Sequence, residues 1–216
     1  MNEDTGTDRS GPGDDQMDVH EAAAILADAR EHALRELRTS YPLLFAVWGL
    51  FFLLGYGVLW LSVRGQHPYT GPTPWALLVL TLLLAAGGVT TVISVGRAVT
   101  GIGGATATQR RVHGLAFTLG LVGVFTLEGG LAHAHASDSL LGVYGAVAPM
   151  LVAGVVYAAS PAVWQDWSTR TLGAWLVLVA AGSSYAGPVG VWGVAGLGAA
   201  VGFWIMAVVA RRRDRA

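Results

Sequence analysis

Six blocks of apolar residues dominate the 216-residue chain, and each is close to the length of a helix that crosses a lipid bilayer. A spanning helix needs roughly 20 predominantly apolar residues. The blocks are residues 43–63, 75–95, 114–134, 140–159, 172–186 and 189–210. Because a spanning segment must satisfy its own backbone polar groups, these blocks predict an all-α fold, an integral membrane bundle of six transmembrane helices.

The composition agrees with a protein that lies mostly in lipid. Charged residues make up 12% of the chain, whereas a soluble domain carries about 25%. Cysteine is absent, which excludes disulfides and thiolate metal sites. The 30 glycines are about twice the usual share of ~7%, and in lipid such an excess indicates close contacts between helices.

The positions of the arginines predict the orientation of the bundle. The connections are short, so neighbouring spans run antiparallel and successive connections fall on opposite sides. With the N-terminus inside, Arg64 is the one arginine in the outer loops. The inner segments hold Arg9, Arg30, Arg35, Arg38, Arg97, Arg110, Arg111, Arg170, Arg211, Arg212, Arg213 and Arg215. Basic residues are enriched in cytoplasmic loops, so we expect a multi-pass protein of the bacterial plasma (inner) membrane with cytoplasmic N- and C-termini.

The fifth block is the shortest, and its outer end is polar. Ser183, Ser184 and Tyr185 close the block, and Gly187-Pro188 follows at once. A block of this length can span with local thinning of the bilayer. It can also form a re-entrant hairpin with the sixth block, and both interpretations stay open at this point.

Two regions precede the first span. Residues 1–17 are polar and acidic and lack the features of a signal peptide, which predicts a disordered cytoplasmic segment. Residues 18–40 predict a cytoplasmic or interfacial amphipathic helix, with Asp18 and Glu21 as a pair resembling a capping box. Pro42 separates this helix from the first span. The rest of the chain divides into a transmembrane domain at 41–210 and a basic cytoplasmic tail at 211–216.

The amphipathic helix has three interpretations. It can lie on the inner leaflet, pack against a protein, or lead through solvent into the first span. Its apolar face is formed by Val19, Ala22, Ala23, Leu26, Ala33, Leu34 and Leu37. This face is rich in alanine and lacks Trp and Phe, so we favour contact of residues 18–38 with a second copy of the chain or with another membrane or cytoplasmic subunit.

Glu128 is the one acidic residue within the six blocks, about six residues, or roughly 9 Å, from the outer end of its span. At 100° per residue, Glu128 and His135 share a face if the helix extends that far, whereas His133 points elsewhere. One interpretation is a proton relay or cation site that opens to the outside. The other is a neutral carboxyl bonded to a neighbouring helix, with two interfacial histidines. Gly129 and Gly130 permit close approach of another backbone.

No other motif predicts catalysis, a metal or a cofactor. The histidines form no His-x-x-x-His pair, and their places at the ends of the spans disfavour a haem. The glycines at 101–104 follow a membrane span and lack the lysine of a nucleotide loop. The net charge of −1 gives no reason to expect a nucleic-acid partner. We therefore expect a bilayer-embedded protein without cofactors and without catalytic activity.

Small residues in the sixth block predict a helix-packing face. Gly198 and Gly202 form a GxxxG pair, and Ala195 and Ala199 add a second pair with the same spacing. Such faces let two helix backbones approach closely. The contact can be made within the chain, which we favour, or with a second copy. Pro149 in the fourth block predicts a kink.

Three stretches resemble a group of small actinobacterial membrane proteins that carry generic names such as "membrane protein" or "transporter". The stretches are EAAAILADAREHALRELR, YPLLFAVWGLFFLLGYGVLWLSVRGQHPYTGP and GIGGATATQRRVHGLA. The resemblance covers most of the first 120 residues and implies a cytoplasmic helix followed by a helical bundle. It carries no motif of known mechanism, so it implies no functional residue.

These observations favour a permease-like or accessory membrane subunit without catalytic activity. The alternative is a small proton-coupled secondary transporter that uses Glu128. A third hypothesis, an intramembrane enzyme, needs a second polar group facing Glu128. The polar groups at a similar depth are Ser183, Ser184 and Tyr185.

Overall fold

The computed structural model describes residues 19–98, 105–159 and 167–213, and every regular element in these ranges is helical. The all-α prediction is therefore confirmed. The helices are α1 (Val19–Val63), α2 (Pro74–Ala98), α3 (Ala105–His133), α4 (Asp138–Ala159), α5 (Trp167–Ser183) and α6 (Gly187–Arg213). A single 3-10 turn at Ser184–Ala186 joins α5 to α6.

Within these ranges, five stretches are long and apolar enough to cross a membrane. They are Pro42–Val63, Pro74–Ser94, Gly114–His133, Asp138–Ala159 and Thr169–Arg212. The first four match the first four predicted blocks to within a few residues. The fifth is 44 residues long and contains both α5 and α6. The chain therefore has the composition of a membrane protein along most of its described length.

Helix α1 is longer than the sequence predicted. It runs for 45 residues from Val19, and Pro42 lies inside it. The predicted separation at Pro42 is therefore absent. A proline within a helix removes one backbone hydrogen bond and bends the axis, but the bonds on either side can carry the helix onward. The predicted disordered segment 1–17 lies outside the described residues.

Four helices form the centre of the bundle, and two lie at its flanks. In the centre, α1 packs along α6, α6 also contacts α4 and α5, and α4 packs along α5. Helix α2 packs against α1, and α3 packs against α4. Among residues whose exposure is described, Val124 is the one buried residue of α3, and α2 has two, Ala76 and Gly87. The spanning part of α1 has seven and α6 has eight, so the core lies between those two helices.

Aromatic rings fill the contact between α1 and α6. Phe203 of α6 stacks on Phe52 of α1 with ring centroids 5.3 Å apart. Phe45 and Trp48 lie 6.3 and 6.4 Å from the same ring. Further along, Tyr56 packs against Trp192 at 5.9 Å, and its hydroxyl donates to the carbonyl oxygen of Ala146 in α4 (3.1 Å). These contacts join three helices around one aromatic core.

Helices α5 and α6 form an antiparallel pair. Gly198 lies against Val179, and Gly202 lies against Trp175, so residue numbers fall on one helix as they rise on the other. The indole Nε1 of Trp175 donates to the carbonyl oxygen of Gly198 (2.8 Å). Gly187 reverses the chain at φ +74, a backbone conformation that glycine adopts without steric cost.

Candidate functional site

The carboxyl group of Glu128 lies between α3 and α4. A Cβ atom placed on Gly145 of α4 would lie 2.8 Å from Oε1 of Glu128. A glycine at position 145 therefore makes the room that this side chain occupies. Glu128 is half-buried, and within the described residues its carboxyl forms no hydrogen bond or ion pair. The carboxyl thus rests on the backbone of α4 without a polar partner from the described chain.

Two further polar groups belong to the same stretch of the α3–α4 interface. Pro149 stands four residues after Gly145 and has no amide proton, so the carbonyl of Gly145 lacks its regular helical donor. The hydroxyl of Tyr144 donates to the carbonyl oxygen of Val124 in α3 (3.2 Å). Each group is five to seven residues from the loop that joins α3 and α4, roughly 8–10 Å at 1.5 Å per residue. The described part of the α3–α4 interface therefore holds a carboxyl, a hydroxyl and a carbonyl without its helical donor within two turns of its loop end.

The two histidines do not complete this site. Helix α3 ends at His133, and His135 has φ +57, outside the helix. The amide of Ala136 donates to the carbonyl of Leu131, which closes the helix in a six-residue C-terminal motif. Glu128 and His135 would share a helical face only if the helix continued through residue 135. Because it ends at His133, helical spacing does not place these two residues on one face. Both histidines are exposed.

The two serines at the end of α5 form hydrogen bonds with backbone carbonyls of the preceding turn. Ser183 Oγ donates to the carbonyl of Ala180 (2.9 Å), and Ser184 Oγ donates to that of Ala181 (2.6 Å). Tyr185 is 92% exposed. None of these hydroxyls is bonded to Glu128, so the described residues give the intramembrane enzyme hypothesis no catalytic pair.

The small residues predicted as a packing face in the sixth block are in contact with other helices of the same chain. Ala195 and Ala199 are fully buried. Gly198 and Gly202 contact α5 through Val179 and Trp175. A GxxxG pair lets a large side chain of the partner approach the helix axis, and here the partner is a helix of the same chain.

A loop residue that the sequence analysis did not single out as functional packs on the end of the bundle at which α1 meets α2. Tyr69, in the loop between α1 and α2, lies over Gly142 of α4 and accepts a hydrogen bond from Trp192 Nε1 of α6 (3.2 Å). Burial raises the pKa of Tyr69 above its ordinary value; the Trp192 bond opposes this rise and the charge of Asp138 adds to it. Tyr69 and Gly142 are 73 residues apart in the sequence. A contact between such distant residues produces no helical periodicity, so the sequence analysis could not identify it.

Gln66 holds this loop in place. Its Nε2 donates to the carbonyl oxygens of Ser62 (3.2 Å) and Gly71 (2.9 Å), and its Oε1 accepts from the amide of Thr70 (3.0 Å). One side chain thereby connects the end of α1 to both halves of the loop. The loop that carries Tyr69 is therefore held in place by the hydrogen bonds of Gln66.

Metal-ligating side chains do not gather in the described ranges. No group of three or more His, Cys, Asp or Glu residues there could hold a metal ion. The oxygen atoms near Glu128 include one carboxylate only. Carboxylate and carbonyl oxygens bind hard cations, and a carboxylate also binds a proton. The α3–α4 interface contains both kinds of oxygen.

No protein-family model, curated protein or solved structure matches this chain. Two features of the described residues bear on function. One is the exposed surface of the flanking helices, and the other is the carboxyl of Glu128.

Proposed function

We propose that the chain crosses the membrane six times, with both termini in the cytoplasm of a bacterial cell. A straight helix of 44 residues would be about 66 Å long, twice the thickness of a hydrocarbon core of about 30 Å. The antiparallel contacts between α5 and α6 support two crossings in Thr169–Arg212. Six crossings leave Arg64 as the one outer arginine, in agreement with the cytoplasmic enrichment of basic residues.

The function that the geometry supports best is that of a non-catalytic, permease-like or accessory subunit that acts through lateral contact with other membrane helices. The observation that carries this proposal is the exposure of α3. Val124 is its one buried residue among those described, and α4 is its main neighbour. At four glycines of α3, Gly114, Gly123, Gly129 and Gly130, an added Cβ atom would have no atom of another element within 4 Å. Such a helix has a free face on which another membrane helix can pack.

Photo-crosslinking in native membranes tests this proposal. A photoreactive residue at Leu119, on the exposed surface of α3, should give one product of defined mass. The control is the same residue at Leu178 of α5, because Leu119 and Leu178 are 60% and 67% exposed. Native mass spectrometry of the intact chain in mild detergent should then show a second copy or a bound subunit. A monomer with equal, diffuse crosslinking at both positions would contradict the proposal.

The second candidate is a proton-coupled transporter that uses Glu128. The observation that favours it is a carboxyl without a partner in the described chain, which lies against Gly145. Pro149 leaves the carbonyl of that glycine without its helical donor. Transporters use such carbonyls and carboxyls at membrane depth to hold a proton or a cation.

Labelling with a hydrophobic carbodiimide separates the two candidates, because this reagent modifies protonated carboxyls in lipid. A transporter site should show labelling of Glu128 that falls as the pH rises from 5 to 9, and Glu128→Gln should abolish it. Labelling that does not change with pH would show that this carboxyl does not titrate, which would remove the transporter candidate. Intact mass before and after labelling is the measurement.

A further inference from the structure

One apolar groove runs along the outward face of α6 and ends at a basic residue. It is a shallow, open groove with a volume of about 370 Å³. Its walls are Val201, Trp204, Ile205, Val208, Val209 and Arg212. These positions recur at three- and four-residue intervals, so they form one continuous face of the helix. The groove is apolar along its length and cationic at one end.

One wall of the groove is fixed by contacts with α1. The indole Nε1 of Trp204 donates to the carbonyl oxygen of Ala46 (3.3 Å). The same ring covers Gly49, where a Cβ atom would lie 2.7 Å from it. Trp204 is still 37% exposed, so one side of a fixed ring faces outward. The groove therefore has a preformed wall, which lowers the entropic cost of binding a flexible chain.

The length and charge of the groove match one leaflet of a bilayer. Val201 and Arg212 are eleven residues apart, about 16 Å along a helix. Half of a hydrocarbon core of about 30 Å is about 15 Å. Arg211 and Arg212 are exposed at the end of the apolar stretch, where the phosphate groups of that leaflet lie.

We propose that this groove binds an anionic phospholipid, with the phosphate group on Arg212 and one acyl chain along Trp204 and Ile205. A lipid fits better than a partner helix because the face consists of bulky side chains. The glycines of α6 that permit close helix contact are directed at α1 and α5, as Gly196 on Tyr56 and Gly198 on Val179 show.

Native mass spectrometry of the full chain tests this site. The detergent-solubilised protein is titrated with phosphatidylglycerol, and separately with phosphatidylcholine of the same acyl chains. We expect one phosphatidylglycerol to be retained at concentrations where phosphatidylcholine is not. Arg212→Gln should weaken retention about fivefold, the effect of one basic residue at an anionic surface. Arg211→Gln is the matched control and should change it less than twofold, because Arg211 is equally exposed but lies outside the groove.

A second pair of variants tests the apolar part. Val208→Trp should fill the groove and abolish retention, whereas Leu197→Trp should not, because Leu197 lies on α6 outside the groove and is 57% exposed. Both sites face outward, so neither variant disturbs the core. Equal weakening by the two arginine variants would indicate diffuse electrostatic attraction and would overturn the proposal. Equal retention of phosphatidylcholine, no retained lipid, or a protein bound in its place would also overturn it.

Discussion

Helices α1 and α6 in the centre and helices α2 and α3 on the flanks are all strongly apolar, but they differ in how much of their surface is buried. Helices α1 and α6 bury most of their large rings against each other, whereas α2 and α3 expose most of their leucines and valines. Helix α2 is the most apolar of the five stretches, yet it has few buried residues. In lipid, apolar side chains gain little from burial against other apolar side chains. The close fit of glycines to rings, as of Gly196 to Tyr56 and Gly202 to Trp175, therefore contributes to the packing of the centre. On the flank, α2 has one such contact, between Gly87 and Trp48.

The largest difference between the regions should come from adding bulk at a glycine. A Cβ atom on Gly173 of α5 would collide with the backbone of α4 at Ala158, whereas Gly123 of α3 has open space around it. We expect Gly173→Leu to destabilise the fold by more than about 3 kcal/mol, because two backbones must separate. Gly123→Leu should have no such effect. Thermal unfolding in detergent measures both, and equal losses would mean that α3 is as tightly packed as the centre.

Removing a ring should give the next largest difference. Phe203 is 1% exposed in the α1–α6 contact, and Phe125 of α3 is 58% exposed. Phe203→Ala leaves a cavity between Phe45, Trp48 and Phe52, and we expect a loss of about 3 kcal/mol. Phe125→Ala should cost less than about 0.5 kcal/mol, the range of surface substitutions. Denaturant titration compares the two, and a large loss for Phe125→Ala would indicate that another chain covers that face.

The smallest effect should come from the hydrogen bond between the α1–α2 loop and α6. Tyr69→Phe and Trp192→Phe each remove the bond between the loop and α6. Hydrogen bonds between membrane helices average about 0.6 kcal/mol, so the coupling in a double-mutant cycle should be of that size. A coupling near zero would show that Tyr69 is held by its packing on Gly142 alone.

The sequence predicted the helices well because each block must satisfy its own backbone in lipid. Lipid favours the same residues everywhere, so hydropathy did not separate α2 and α3 from the centre. Pro42 was interpreted as a break because proline removes a hydrogen bond, but a long helix on both sides tolerates that loss. The third block was predicted to end at residue 134, one residue beyond the end of α3. The helix does not continue to His135, because that residue takes a left-handed conformation in which glycine or asparagine is more usual.

Glu128 was singled out from the sequence, and its role as a site stays a prediction. A lone acid in an apolar block marked the residue, and its depth followed from counting. Its position against Gly145 depends on how α3 packs on α4, and neither helix carries a pattern that specifies that pairing. The contact of Tyr69 with Gly142 and Trp192 has the same origin, because it joins three segments that are distant in the chain.

The unbroken course of α1 through Pro42 has a mechanical consequence. From Val19 to Pro42 the helix extends about 34 Å, and its continuation carries Phe45 and Phe52 into the ring stack with α6. Because the helix is continuous, a force applied at Val19 acts on the ring stack at Phe203 as a bending moment. Part of the motion is absorbed by bending at Pro42, where one backbone hydrogen bond is absent.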